Sequence, residues 1–437
     1  MGVLVSIHLL LVGLPAWWAR SLLIGLGVSL AAHFRCGSAT DGFILGDGLI
    51  TNPIRESLKA DQMPGHMDMK GFQADDGSYI FGFAPKLNIF NQRVAIAWSG
   101  DLTHAESLCD VVYEHVVKHS RDVNQLPTLL TQYTEYVQSQ LGGDLKVICV
   151  SARDGGYDIW HNGVQVFEKY NNVRKILVIG SGTKAFLDCA AKFANLPSVD
   201  QSQDLLDANA LCNALTLVMP LYFDDLFFQQ NYRERFGGIH ELAWIKRGRI
   251  SKIRDMLFLN VLVDCDRIGA DNYAYEILPY FLKYDVLEDV SVLREFRLTQ
   301  ADDGRFTPTL FPHFMLPLSS EQRTMGSETI SKVLEGNLFN SELLGGFDSR
   351  VCCVFLVIED DHNFLMSPKI WIHLDKRQYP VKFRFESDTL QIHESAEMKD
   401  SIRKTIDRYV DRDTRCIRTD VDESDRLKPR STPSERE

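Results

Sequence analysis

The sequence has no CxxC pair and no cluster of cysteine and histidine at metal-binding spacing, so the common zinc sites are excluded and no metal is expected. It has no basic stripe with interleaved aromatics, and its formal net charge is −12. A nucleic-acid backbone is therefore excluded as the main partner, because phosphate binding needs clustered Lys and Arg. The phosphate-loop pattern GxxxxGK[ST] is absent, so Gly180-Ser181-Gly182 followed by Thr183-Lys184 does not read as a nucleotide cradle, and no cofactor is expected. Internal repeats are absent as well. Residues 1–34 contain no acid, and Arg20 is their one formal charge.

What is present is an ordinary globular composition over 437 residues, too long for one core, which suggests two or three domains. Nine cysteines are scattered, several inside apolar runs such as KVICV around Cys149 and RVCCVFLVI around Cys352 and Cys353. An odd count in a long chain reads as reduced, buried thiols and a cytoplasmic location. His115 and His119 stand at i, i+4 on one helix face but lack a third ligand, and read as a polar face. The apolar leader is broken by Pro15, and its second run, from Ser21 to Phe34, is short for a membrane span. It has no Lys or Arg before its first apolar stretch, as a secretory signal would. A signal peptide, a propeptide, a mis-called translation start and a membrane association through residues 1–28 remain open.

Along the chain, Leu30–Phe34 and Phe43–Leu45 read as strands joined by a Gly/Ser/Thr/Asp turn, and residues 52–80 as a long polar loop. Lys86–Phe90 and Val94–Trp98 form a hairpin turned at Asn91-Gln92. Leu108, Val111, Val112, Val116 and Val117 recur at helical spacing within 102–119, and a second helix spans 126–141, ended by Gly142-Gly143. Strands follow at 146–151, 157–161 and 173–180, helices at 184–193 and 204–229, and a strand at 241–246. This order predicts helices covering both faces of two packed sheets. Residues 251–345 are mixed and marked by proline, 350–395 are strand-rich, and 396–409 form a helix. The charged, apolar-poor tail from 412 reads as disordered.

Several spaced features resemble the proteasome-type N-terminal-nucleophile (Ntn) hydrolases. TDGFILGDG (Thr40–Gly48) is similar to that family's second strand and the aspartate ending it, here Asp47. KLNIFNQRVAIAWSG resembles its lysine-bearing strand, hairpin turn and return strand, and the interval from Lys86 to Gly100 (100 − 86 = 14) matches the family's. KILVIGSGTKAFLD (Lys175–Asp188) resembles a later strand, turn and helix, and FGGIHELAWIKRG (Phe236–Gly248) the final Gly-Gly turn and strand. The resemblance implies a four-layer αββα sandwich over residues 29–250, preceded by the leader 1–28. A C-terminal α+β extension over 251–411 and the tail 412–437 follow.

The chemistry implied is amide hydrolysis by a Thr, Ser or Cys at the mature N-terminus, whose own α-amine takes the side-chain proton. That amine has a reference pKa of about 8, so it needs little adjustment at neutral pH. Lys86 and Asp47 take the place of the charge pair that favours a neutral amine and a developing oxyanion. Gly100 takes the place of the oxyanion-hole glycine, and Ser181 that of a supporting serine. Apart from the resemblance, Lys86 reads as a solvent-facing strand residue, Asp47 as a turn cap and Ser181 as a helix cap.

Counting back from Asp47 places the nucleophile near residues 29–33, where Ser29 is the candidate; Cys36, Ser38 and Thr40 fall in or beyond the first turn. Ser29 acts only after the leader is lost, for example if translation begins at Val28 and the initiator is removed. Before the Gly-Gly turn the sequence departs from the pattern. Arg233-Glu234-Arg235-Phe236 stands where an acid and a serine are expected, with Glu234 as a possible substitute acid and Phe236 unable to replace a hydroxyl. Two functions are therefore expected from the resemblance. One is a peptide or amide hydrolase; the other is a catalytically silent subunit acting through assembly with itself or with ring partners.

Overall fold

The computed structural model describes residues 30–36, 41–52, 78–119, 122–170, 173–193, 203–227, 230–264, 275–300, 306–335, 349, 351–359, 364–372, 381–386 and 389–407. They fall into two compact units. The first runs to Arg254 and takes in residues 284–293 and 312–337; the second comprises 255–283, 294–311 and the chain from 338 onward. Two stretches of the expected C-terminal region thus pack with the first unit.

Two antiparallel sheets organise the first unit. The larger has the order β12-β11-β2-β1-β10-β9, from β1 (Ala31–Arg35), β2 (Gly42–Gly46), β9 (Gln165–Tyr170), β10 (Val173–Ile179), β11 (Glu241–Lys246) and β12 (Arg249–Lys252). The smaller has the order β5-β6-β7-β8, from β5 (Leu87–Phe90), β6 (Val94–Gly100), β7 (Leu145–Arg153) and β8 (Gly156–Asn162). A two-stranded ribbon pairs β3 (Leu49–Asn52) with β4 (Tyr79–Phe83). The β5–β6 hairpin turns at Asn91 and Gln92, both at positive φ (50° and 54°).

Strand periodicity decides what each face buries, because successive side chains point to opposite sides. On β6, Ala95 and Ala97 join Ala31, Ile44, Leu87, Ile148, Val150 and Ala243 in a core contributed by both sheets. Val94, Ile96 and Trp98, on the other face, pack with Leu108 and Val112 of α1 (Leu102–Tyr113) and with Leu130 and Val137 of α2 (Leu126–Gln140). All seven residues of β6 are buried. Helix α1 starts at Asp101, whose carboxylate accepts the His104 N–H at 3.1 Å, and continues as a π-helical turn over Glu114–Lys118. Helices α3 (Thr183–Phe193), α4 (Gln203–Phe227, with Pro220 inside) and α5 (Gln230–Arg233) follow, and α6 (Ser320–Glu335) comes from the returning segment.

In the second unit, β13 (Met256–Asp264) pairs in parallel with β17 (Val351–Glu359), which pairs antiparallel with β18 (Phe364–Ile372). The six-stranded order is β16-β15-β14-β13-β17-β18, where β14 is Tyr275–Leu287, β15 Val290–Gln300 and β16 Phe306–Met315. Met398, Ile402 and Ile406, at i, i+4, i+8 on a helix over 396–407 (α7), bury against Leu259, Val261, Phe281, Val354 and Phe383. Phe383 belongs to the hairpin of β19 (Val381–Glu386) and β20 (Thr389–Glu394).

The four-layer αββα sandwich expected from the resemblance is corrected by this architecture. The chain is a mixed α/β protein with 44% strand residues, several mostly antiparallel sheets and seven helices among the described residues. Strands hide where proline punctuates the sequence. β16 carries Pro308 and Pro312, and it is the edge strand of its sheet, where a missing N–H is tolerated. β9 and β12, which the sequence reading passed over, extend the larger sheet at its two ends. The stretch 396–409 read as helix is helical over 396–407. The tail from 412 and residues 1–28 lie outside the described residues.

Candidate functional site

Asp47 follows β2, and Lys86 immediately precedes β5. The backbone brings them together: the Lys86 N–H donates to the Asp47 carbonyl (3.3 Å), and the Trp98 N–H donates to the Lys86 carbonyl (3.1 Å). Gly46 allows the approach, since a Cβ there would lie 2.9 Å from the Lys86 carbonyl carbon and 3.0 Å from Leu87 N. The Lys86 ammonium then meets Asp47 Oδ1 at 2.9 Å, with both side chains fully buried. Neither the exposed strand lysine nor the simple turn cap describes this pair. The other carboxylate oxygen, Oδ2, accepts the Gly237 N–H at 2.8 Å.

Burial pushes the Asp47 carboxyl above the usual carboxylate range and the Lys86 ammonium below the usual lysine value. Each group opposes the other's shift by charge and by hydrogen bonding, and the Gly237 amide also favours the ionised carboxylate. The arrangement is a water-shielded ion pair. Removing one partner of such a pair leaves the other charge uncompensated.

Leu30, the first described residue, is fully buried beside this pair. Its carbonyl accepts the Asp47 N–H at 3.0 Å. A Cβ on Gly182 would lie 2.8 Å from Leu30 Cβ and 2.9 Å from the Phe236 ring, so the Gly180–Ser181–Gly182 turn closes on both residues. The structure therefore brings Asp47, Lys86 and the Ser181 turn to the backbone at residue 30. Ser29 itself lies outside the described residues, as do Ser38 and Thr40.

Ser181 does not cap helix α3. Its Oγ is buried without a hydrogen-bond partner among the described residues, while the Thr183 hydroxyl bonds back to the Gly180 carbonyl at 2.7 Å. Gly100 ends β6, two residues beyond Trp98, at φ +125°. A Cβ there would fall 2.0 Å from the Asp144 carbonyl oxygen, so that close crossing already demands glycine. Cys36 is buried, and desolvation pushes its thiol up to about 12, far from an activated thiolate. The candidate acid Glu234 is half-buried, and Phe236 is fully buried.

A second acid, besides Asp47, bonds the Gly237–Gly238 turn: Asp225, which the sequence reading missed. Its Oδ2 accepts the Gly238 N–H and meets His240 Nε2, both at 2.8 Å, and its Oδ1 accepts from Asn231 Nδ2 at 2.8 Å. Burial pushes the Asp225 carboxyl up, opposed by His240 and these donors. Its neighbour Asp224 is raised by burial to about 6. The available signal was two adjacent acids, Asp224 and Asp225, following the apolar stretch 214–223 of the same helix. His115 is buried, and His119 pairs with Glu114 at 3.6 Å. Among the described residues no group of three or more His, Cys, Asp or Glu is placed to hold a metal.

The fold and site thus define a mixed α/β protein with a buried lysine–aspartate centre at the start of its first strand. Compared with known protein families and with curated proteins, the chain matches none. Among the described residues no helix is long and apolar enough to cross a membrane.

Proposed function

We propose that this protein is an N-terminal-nucleophile hydrolase of amide or peptide bonds, with Ser29 exposed as nucleophile and base by loss of residues 1–28. The observation that carries this reading is the buried Lys86–Asp47 pair at 2.9 Å beside the backbone of Leu30, the residue that follows Ser29. A cation there favours the neutral α-amine needed as a base and the negative charge that develops on the attacked carbonyl. In this reading the Ser181 hydroxyl, buried and unpartnered among the described residues, is available to the N-terminal residue, and Gly100 supplies the oxyanion amide.

A catalytically silent subunit, acting through assembly with copies of itself or with ring partners, is the second reading. It is favoured by Phe236, a fully buried ring beside Gly182, where a supporting hydroxyl is expected. Natively expressed protein separates the two. Under the first, intact mass gives a chain beginning at Ser29, an acylating probe labels that residue, and Ser29→Ala abolishes the label. A chain that keeps its leader and takes no label sinks the hydrolase reading.

A further inference from the structure

The Gly237–Gly238 turn joins two buried acids that lie on different elements. The first glycine donates its N–H to Asp47 Oδ2, and the second donates to Asp225 Oδ2, each at 2.8 Å. Both glycines have positive φ (118° and 81°), which turns successive amides toward different acceptors. Asp225 presses directly on this turn, because a Cβ on Gly237 would lie 2.5 Å from Asp225 Oδ1.

Asp225 is itself held from three sides. His240 Nε2 meets Oδ2 at 2.8 Å, and the His240 carbonyl accepts the Tyr222 hydroxyl at 2.7 Å. Asn231 Nδ2 bridges Asp225 Oδ1 (2.8 Å) and the Leu221 carbonyl (2.9 Å). The Asn231 N–H donates to Asp224 Oδ2 at 2.7 Å. Helix α4, the segment carrying Asn231 and the start of β11 therefore fix one carboxylate against one turn. Glu234, the acid of the Arg233–Phe236 stretch, makes neither bond to the turn; Asp225 of the long preceding helix makes the second.

We propose that Asp225, oriented by His240 and Asn231, is a positioning residue for the Lys86–Asp47 centre: it holds the Gly237–Gly238 turn so that the Gly237 N–H points at Asp47. The purpose of this device rests on the hydrolase reading, but the coupling itself does not. Two contacts favour the ionised Asp47 carboxylate, the Lys86 ammonium and the Gly237 amide, while burial favours its neutral form. If the turn relaxes, the amide is lost, Asp47 holds its charge less well, and Lys86 loses the anion that keeps it protonated. Lys86 faces Asp47 as a cation, the His240 ring lies between Asp225 and the start of β11, and Asp224 and Glu234 lie on the Asp225 side.

The test is the titration of Lys86 in the full chain, read from the ε-CH2 signal of 13C-labelled lysine and assigned by its loss in Lys86→Met. Asp225→Ala removes the acceptor of the turn, and Asn231→Ala loosens Asp225 without removing a charge. Leu217→Ala, a buried leucine on the same helix, controls for destabilisation alone. Asp225→Ala is expected to lower the Lys86 midpoint by about one pH unit, as expected for losing one hydrogen bond to a charged group. Asn231→Ala lowers it by less, and Leu217→Ala leaves it in place while lowering stability. An unmoved midpoint in both site variants, or an equal fall in Leu217→Ala, overturns the proposal. Should Asp225→Ala fail to fold, Asn231→Ala against Leu217→Ala decides alone. Absence of acylation at residue 29 with a moved Lys86 midpoint would count against the hydrolase reading and leave the coupling standing.

Discussion

Lys86 and Asp47 show how far a residue's neighbours change its meaning. An isolated lysine at the head of a strand is a solvated charge, whereas here the ammonium is fully buried and meets the Asp47 carboxylate. Lys86→Met is expected to cost about 3–5 kcal/mol, because it leaves Asp47 buried and uncompensated. The double variant with Asp47→Asn should be more stable than the sum of the single losses predicts, since it removes both charges together. Urea denaturation of the four proteins at neutral pH measures this. Gly46→Ala is expected to destabilise by about 1–3 kcal/mol, because its new methyl meets backbone at Lys86 and Leu87 that cannot rotate away.

At the scale of elements, helix α6 is anchored by a residue from another helix. Asp110 of α1 accepts the Ser320 N–H through Oδ1 (2.6 Å) and the Ser320 hydroxyl through Oδ2 (2.9 Å). Arg323 pairs with Glu106 at 2.8 Å, and Lys118 of the π-helical turn with Glu321 at 2.8 Å. Asp110→Ala is expected to cost about 1 kcal/mol, the usual value of a helix cap, and to speed amide exchange in the first turn of α6 before the rest of the unit opens. Exposed pairs such as Lys118–Glu321 contribute little by comparison. The tip of the β14–β15 hairpin is tied in a similar way: Ser291 donates to Glu241 and Lys252 pairs with the same carboxylate, linking residues 284–293 to β11 and β12.

For the whole molecule, pH sensitivity is expected to include one buried histidine. His33 on β1 is fully buried against Tyr157 (3.2 Å), and burial, with Arg35 adding to it, lowers its pKa to about 3. The unfolded chain takes up that proton near pH 6.5 while the folded chain does not. Its contribution to stability is therefore present above about 6.5 and lost progressively as pH falls toward about 3. Thermal unfolding followed from pH 7 to pH 4 should show His33→Gln losing less stability than the unaltered protein over that interval. An equal loss would mean that other groups dominate the acid response.

Local order was legible in the sequence because it is written in nearest-neighbour patterns. The alternation along β6 and β7, the helical spacing of Leu108 and Val112, and the Asn91-Gln92 turn all follow from side-chain period and backbone sterics. The intervals among Asp47, Lys86 and the Gly-Ser-Gly turn likewise selected residues that meet around Leu30. Layering was not legible: prolines masked long strands, and antiparallel pairing between distant segments replaced the sandwich that local order suggested. Nor was Asp225: two adjacent acids after an apolar stretch hint at a buried site, but nothing in them marks the Gly-Gly turn that one of them bonds. Sequence by itself determined which residues could carry charge into the core; only the tertiary structure decided which of those charges meet, because burial and partnership are properties of the packed chain.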